Sequence, residues 1–257
     1  MASIKIMNPT IQIPHTIHYC WFGGKQLPAS AQKCIDSWRR HMPDYEIVRW
    51  DESNFDVNAC RYTSQAYAAG MYAFVSDYAR LWILYNHGGL YFDTDVEVVR
   101  PFDDLVAKGP FMGYETDPTA SAHGLVAPGL GMGARAGMPF IGELLSYYDT
   151  LDFCDAEGRQ VPGSIVTHTT ALLLKHGLGT GAYSRHCCGF NLCPREVLNP
   201  MDDATGRITL TDRTLSIHRF TKTWTGQSAV RIAAARLAHR LLGVGLSGKI
   251  KRTFRIK

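Results

Sequence analysis

The stretch IPHTIHYCWF, residues 13–22, puts Ile13, His15, Ile17, Tyr19 and Trp21 on one side of an extended chain and Thr16, His18, Cys20 and Phe22 on the other. Both sets are largely apolar or aromatic, which is the pattern of a strand covered on both faces. Gly23-Gly24 ends it. PASAQKCIDSWRRHMP (28–43) then sets Ala31, Cys34, Ile35 and Trp38 along one helical stripe between two prolines, and YEIVRW (45–50) is a second strand. Strand, helix and strand in so short a span predict a βαβ unit with a parallel pair and a right-handed crossover. SQAYAAGMYAFVSDYARLWILYNH (64–87) reads as a helix from the spacing of Phe74, Tyr78, Leu81 and Tyr85, stopped by Gly88-Gly89. GGLYFDTDVEVV (88–99) follows as a third strand. The expected fold is therefore α/β, a Rossmann-like open sheet flanked by helices. Ligands of such sheets bind beyond the carboxyl ends of the strands, where Trp21 and Asp93 lie.

Short strands are expected at 111–115 and 125–133, helices at 139–151 and 167–177, and a late strand at TLSIHRF (214–220). The Gly-rich stretch 124–137 reads as a loop or sheet edge. It contains Gly129-x-Gly131-x-x-Ala134, a relaxed dinucleotide fingerprint, but between Pro128 and Pro139 and away from the first βα turn, so it is read as a decoy. With 257 residues, 46% hydrophobic and 19% charged, the chain can bury a sizeable core, and its composition excludes disordered and collagen-like classes. No apolar run has the length of a membrane span, and the first residues lack the apolar core of a signal peptide. Seven irregularly spaced cysteines read as reduced thiols, CCGFNLC included, so a cytoplasmic location is expected.

Two carboxylates stand one residue apart, Asp93 and Asp95, inside the apolar stretch 88–99. A regular strand puts them, with Glu97, on one side. At roughly 6 Å and an effective dielectric near 20 they repel by about 3 kcal/mol, which calls for a compensating cation. An all-oxygen site suits Mg²⁺ or Mn²⁺. The alternative is a solvent-facing turn after Phe92. Asp77 and Arg80, three apart on a helix otherwise almost free of charge, share a face and point to a polar cleft rather than to a surface ion pair.

IPHTIHYCWFGG, SDYARLWILYNHGGLYFDTDVE and SIHRFTKTW together resemble the DXD-containing glycosyltransferases of the sugar-binding-region type. That group includes bacterial capsule and lipopolysaccharide transferases, yeast mannosyltransferases and, distantly, the clostridial glucosylating toxins. The resemblance is dense over 13–104 and thin but ordered to about residue 225. It implies a GT-A fold, a nucleotide-sugar donor (a UDP-sugar first) and Mn²⁺ or Mg²⁺. It also implies transfer of a hexosyl group, with retention, to a glycan or lipid-linked glycan acceptor in cell-surface polysaccharide or lipopolysaccharide synthesis. Trp21 falls where an aromatic stacks on the base, Asp77 where a carboxylate holds sugar hydroxyls, and Arg80 where a guanidinium meets sugar or phosphate. Tyr91 falls beside the donor. Asp93 would contact ribose or sugar and reach the metal through water, and Asp95 would bind the metal directly. His218 matches a further metal or diphosphate ligand, or is a strand histidine. Thr223 and Trp224 match a Ser-Trp pair on the leaving phosphate, with threonine in place of serine. No residue stands out as a nucleophile on the opposite face of the sugar, so same-face substitution is the expected mechanism.

Rival readings are a non-catalytic nucleotide-sugar or glycan-binding protein, a dinucleotide-binding enzyme and a metal-dependent phosphohydrolase. No nucleic-acid partner is expected. After Asp212 the chain has no acidic residue. A GT-A domain over 1–227 is therefore expected to be followed by a basic amphipathic segment, 228–257. In it Val230, Ala233, Ala234, Leu237 and Leu241 share one helical face, while Arg236, Arg240 and nearby His239 lie on another. Lys249, Lys251, Arg252, Arg255 and Lys257 follow. Such a segment suits an anionic leaflet, which would make the protein peripheral on the inner face of the plasma membrane; the alternative is a helix packed on the domain.

Overall fold

The computed structural model describes residues 12–120, 122–180, 185–221 and 229–243. Strand β1 (Thr16–Cys20), helix α1 (Ala29–His41) and strand β2 (Glu46–Trp50) form the expected unit, with β1 and β2 parallel. Helix α1 buries Ala31, Cys34, Ile35 and Trp38, its predicted stripe. Arg39, Arg40 and His41 occupy its last turn, where the carbonyl end of the helix dipole favours cations.

The helix expected over 64–87 is two helices, α2 (Arg61–Ala68) and α3 (Tyr72–His87). Gly70 sits between them at φ +69, and the Met71 N–H reaches back to the Ala66 carbonyl, which closes α2 with a left-handed end. The strand expected over 88–99 also divides. β3 (Gly89–Tyr91) pairs in parallel with β1, whereas β4 (Val96–Val98) leaves the main sheet and pairs antiparallel with Ser216–His218. Helix α1 draws β4 away: the Trp38 indole N–H donates to the Val96 carbonyl at 2.7 Å, and the Val98 N–H donates to the Ser37 hydroxyl at 2.9 Å. Asp93 and Asp95 thus lie in the turn between the two strands, closed by the Val96 N–H on the Asp93 carbonyl. The regular alignment of Asp93, Asp95 and Glu97 along a strand is not formed.

The chain continues through α4 (Asp103–Val106), β5 (Phe111–Thr116), β6 (Leu125–Ala127), a 3-10 turn at Pro128–Leu130 and β7 (Met132–Ala134). Then come α5 (Pro139–Tyr148), α6 (Ile165–Lys175), β8 (His186–Cys187), β9 (Phe190–Cys193), α7 (Arg195–Leu198), β10 (Ser216–His218) and α8 (Ala229–Leu242). Among the described residues the main sheet has eight strands, ordered β2-β1-β3-β7-β5-β9-β8 with β6 on β5. Parallel pairs (β1 with β2 and β3, β5 with β9) stand beside antiparallel ones (β7 with β3 and β5), so the sheet is open and mixed, with helices on both faces. The Gly-rich stretch is therefore an edge only in part, at β6, which pairs with β5 alone. β7 lies between β3 and β5, and Gly133 admits the Phe111 ring where any side chain would collide with it. CCGFNLC is the β8–β9 hairpin, turning at Cys188 (φ 51) and Gly189 (φ 83), a pair of left-handed residues as a tight hairpin requires.

Two apolar clusters cover the sheet. Ile17, Leu90 and Phe111 belong to one, with Trp38 and Phe92. Cys20, Tyr91 and Met112 belong to the other, with Val75, Leu81 and Ile141. The two-sided pattern of 13–22 is thus realised as a strand buried on both faces.

Candidate active site at the carboxyl ends of β1 and β3

A cavity of about 740 Å³ opens where β1 and β3 end, with Trp21, Asp77, Arg80, Asp93, Asp95 and His218 on its wall. Helix α3 supplies its floor. The Arg80 side chain is only 5% exposed and bridges Asp77 at 2.9 Å and Asp93 at 3.2 Å. Its Nε–H donates to the Ser76 carbonyl, and its guanidinium lies 4.9 Å from the centre of the Tyr91 ring. The Asp77–Arg80 pair therefore points inward, as its isolation on an apolar helix suggested. Tyr91 is buried beneath Arg80 and supports it from the β3 side.

Asp95 is gripped from β10 and the residues after it. One carboxylate oxygen lies 3.1 Å from His218 Nε2, and the other accepts the Thr221 N–H at 2.9 Å and the Thr221 hydroxyl at 3.1 Å. The Asp95 carbonyl accepts the Arg219 N–H, and Glu97 pairs with the Arg219 guanidinium. Phe220, at φ +47, sets its ring edge-on to His218 with centroids 4.3 Å apart.

Burial pushes the Asp77 carboxyl up to about 6 despite Arg80. Burial raises Asp93 as well, Arg80 opposing it. Burial acts on Asp95 in the same direction, but His218 and Thr221 outweigh it and hold that carboxyl well below the usual range. Burial alone would lower His218, yet Asp95 lifts it above its ordinary value. Two neighbouring carboxylates are thus driven apart electrostatically, Asp93 toward Arg80 and Asp95 toward His218.

Asp93, Asp95 and His218 each offer a ligand atom within 4.8 Å of the others. Among the described residues the His218 Nδ1 is buried without a hydrogen-bond partner. Two carboxylates and one imidazole around a cavity form a donor set that fits Mn²⁺ or Mg²⁺, with the nitrogen tilting it toward Mn²⁺.

Trp21 is half-buried at the cavity mouth, its indole N–H donated to the Lys25 carbonyl at 2.7 Å. Thr223 and Trp224 lie outside the described residues. Sequence reasoning missed Thr221 and Phe220, which belong to SIHRFTKTW but to no spacing rule. It also set Gly129 aside. The Gly129 carbonyl accepts the Asp93 N–H, and a Cβ at Gly129 would sit on Asp93 Oδ2 and 2.6 Å from Arg80 Nη1. The glycine is required by space. Gly129→Ala is expected to displace the Arg80–Asp93 pair, lower activity more than tenfold and destabilise by about 1–3 kcal/mol. Unchanged activity and melting temperature would contradict this placement of the pair.

Residues 28–112 match the family model described as a glycosyltransferase sugar-binding region containing a DXD motif. Inositol phosphoceramide mannosyltransferase 1 of Schizosaccharomyces pombe is 30% identical over 118 residues, 42% of this chain and 35% of the relative. Inositol phosphoceramide mannosyltransferase 3 of the same yeast is 33% identical over 142 residues, 52% of this chain and 36% of the relative. The chain thus spans about a third of the length of these curated relatives. Among solved structures, a galactosyltransferase in complex with donor and acceptor sugar analogues aligns at a TM-score of 0.49 and 14% identity, over 91% of this chain and 95% of that one. Asp93-Thr94-Asp95 is the only Asp-x-Asp in the sequence, and it lies within residues 28–112, the part of the chain similar to the DXD-containing glycosyltransferase sugar-binding region.

Proposed function

We propose that the protein is a metal-dependent glycosyltransferase that moves a hexosyl group from a nucleotide-sugar to a glycan or lipid-linked glycan acceptor, with retention, in the building of a cell-surface glycan. The observation that carries this reading is the convergence of Asp93, Asp95 and His218 within 4.8 Å on a cavity whose floor is the Asp77–Arg80 pair. A divalent ion held by those three residues would neutralise the diphosphate leaving group as the glycosidic bond breaks. Arg80 keeps Asp93 oriented, and Thr221 keeps Asp95 ionised and fixed. Asp77, on the opposite side of Arg80, is held by Arg80 at Oδ1 and by the Ile165 N–H at Oδ2, and the remaining lone pairs of its carboxylate on the cavity wall suit sugar hydroxyls. A UDP-sugar is the first donor to test. The names of the yeast relatives add mannose and an inositol phosphoceramide lipid to the candidate sugars and acceptors.

Trp21 supplies a flat apolar face for the base. Thermal stabilisation by uridine and guanosine diphosphate sugars with Mn²⁺ tests the reading: one base should stabilise the protein, and a chelator should abolish the effect. Base–aromatic stacking is worth about 1–3 kcal/mol. Trp21→Ala should therefore weaken nucleotide binding about tenfold while the melting temperature of the free protein changes little. A large fall in melting temperature with unchanged nucleotide affinity would make Trp21 a core residue instead.

A further inference from the structure

Helix α8 is mounted with its polar face inward. The Arg236 guanidinium donates to the Arg219 and Phe220 carbonyls and pairs with Asp203. His239 bonds the Ala204 carbonyl at 2.9 Å, and Arg240 donates to the Thr205 carbonyl at 2.5 Å. Ile232 is the buried apolar anchor. The opposite stripe is left facing solvent: Val230 is 78% exposed, Leu237 55% and Leu241 75%. A helix that only packed on a domain would turn these residues inward. Here the outward face is apolar, and the groove of about 440 Å³ beside it is lined by Arg219, Arg236 and Arg240. The sequence adds Lys249, Lys251, Arg252, Arg255 and Lys257, with no acidic residue after Asp212.

We infer that the outward face of α8 is a docking surface for an anionic lipid bilayer. The apolar stripe enters the boundary between headgroups and acyl chains, and the basic residues that follow α8 in the sequence supply the charge complementary to anionic headgroups. The position of the helix gives this surface a use. Asp203 lines the main cavity and pairs with Arg236, and Phe220, whose carbonyl Arg236 holds, lies against His218. Docking through α8 therefore sets the mouth of the candidate active site beside the membrane, where the headgroup of a lipid-linked acceptor is presented. A second copy of the chain is the competing occupant, and the excess of basic residues after Asp212 disfavours it because like charges repel between two copies.

Co-sedimentation of the full chain with phosphatidylcholine vesicles, with and without phosphatidylglycerol, tests the inference. No substrate is present, so the outcome is separate from that of the transferase reading. Binding is expected at least about tenfold tighter to the anionic vesicles and weaker in high salt. The Leu237→Asp/Leu241→Asp variant should lose that binding while keeping its melting temperature, since both side chains are exposed. Absence of vesicle binding, or equal binding by the variant, would overturn the proposal. So would a dimer of the free protein in sedimentation velocity that the variant dissolves.

Discussion

Asp95→Asn is expected to reduce turnover more than about a hundredfold, because even outer-shell partners of a metal site are worth 10- to 100-fold. The asparagine is nearly isosteric, so it can keep the Thr221 contacts in part, and the fold should survive. What it removes is the negative charge that draws both His218 and a cation. Mn²⁺ should then no longer raise the melting temperature as it does for the parent. With a chelator present, the two proteins should also differ in the pH dependence of stability. The Asp95 carboxyl is depressed in the folded state, so its contribution is present above the usual 3.8 and lost as pH falls below it. His218 is raised, so its contribution is full below the usual 6.5 and lost as pH rises through the folded value. The stability gap between parent and variant is therefore expected to be widest between the usual carboxyl value of 3.8 and the usual imidazole value of 6.5 and to narrow on both sides. Full turnover by Asp95→Asn would remove it from the metal site.

Arg80→Met is expected to have the largest effect on folding. The guanidinium is the shared partner of two buried carboxylates, and deleting one member of a buried pair costs about 3–5 kcal/mol. The sign of its pH dependence follows from Asp77. A carboxyl raised to about 6 favours folding only while protonated, and that contribution is lost as pH rises through 6. Without Arg80 its ionisation is opposed further, so the variant should be most destabilised near pH 8 and recover as pH approaches 5. Urea unfolding at the two pH values measures this. A loss that is equal at both would show that the two carboxylates are not held apart by Arg80.

The β1-α1-β2 unit and the inward Asp77–Arg80 pair were legible because each rests on local periodicity. Alternating apolar residues at 13–22, a four-residue stripe in α1 and an isolated ion pair on an apolar helix need no distant partner to be read. The departures arise from tertiary contacts. Nothing within 88–99 shows that Trp38 and Ser37 will draw Val96 and Val98 out of the sheet and leave the Asp93-Thr94-Asp95 turn between β3 and β4. The glycines of 124–137 suggested a loop, yet one of them admits the Phe111 ring and another makes room for Arg80 and Asp93. The amphipathic pattern of α8 was plain in sequence, but which face turns inward was decided by the carbonyls at 203–205 and 219–220 that its arginines and histidine meet. At the site, Asp93, Asp95 and His218 were named from a motif and a resemblance, and their meeting required β4 and β10 to pair.

Release of nucleoside diphosphate from a panel of nucleotide-sugars, followed with Mn²⁺, with Mg²⁺ and with chelator, tests the central claim most directly. The account predicts that one donor is slowly hydrolysed in the absence of acceptor, that release stops with chelator, and that Mn²⁺ restores it at least as well as Mg²⁺. Binding of that donor with release unaffected by chelator, or release from none of the donors in the presence of Mn²⁺, would contradict it.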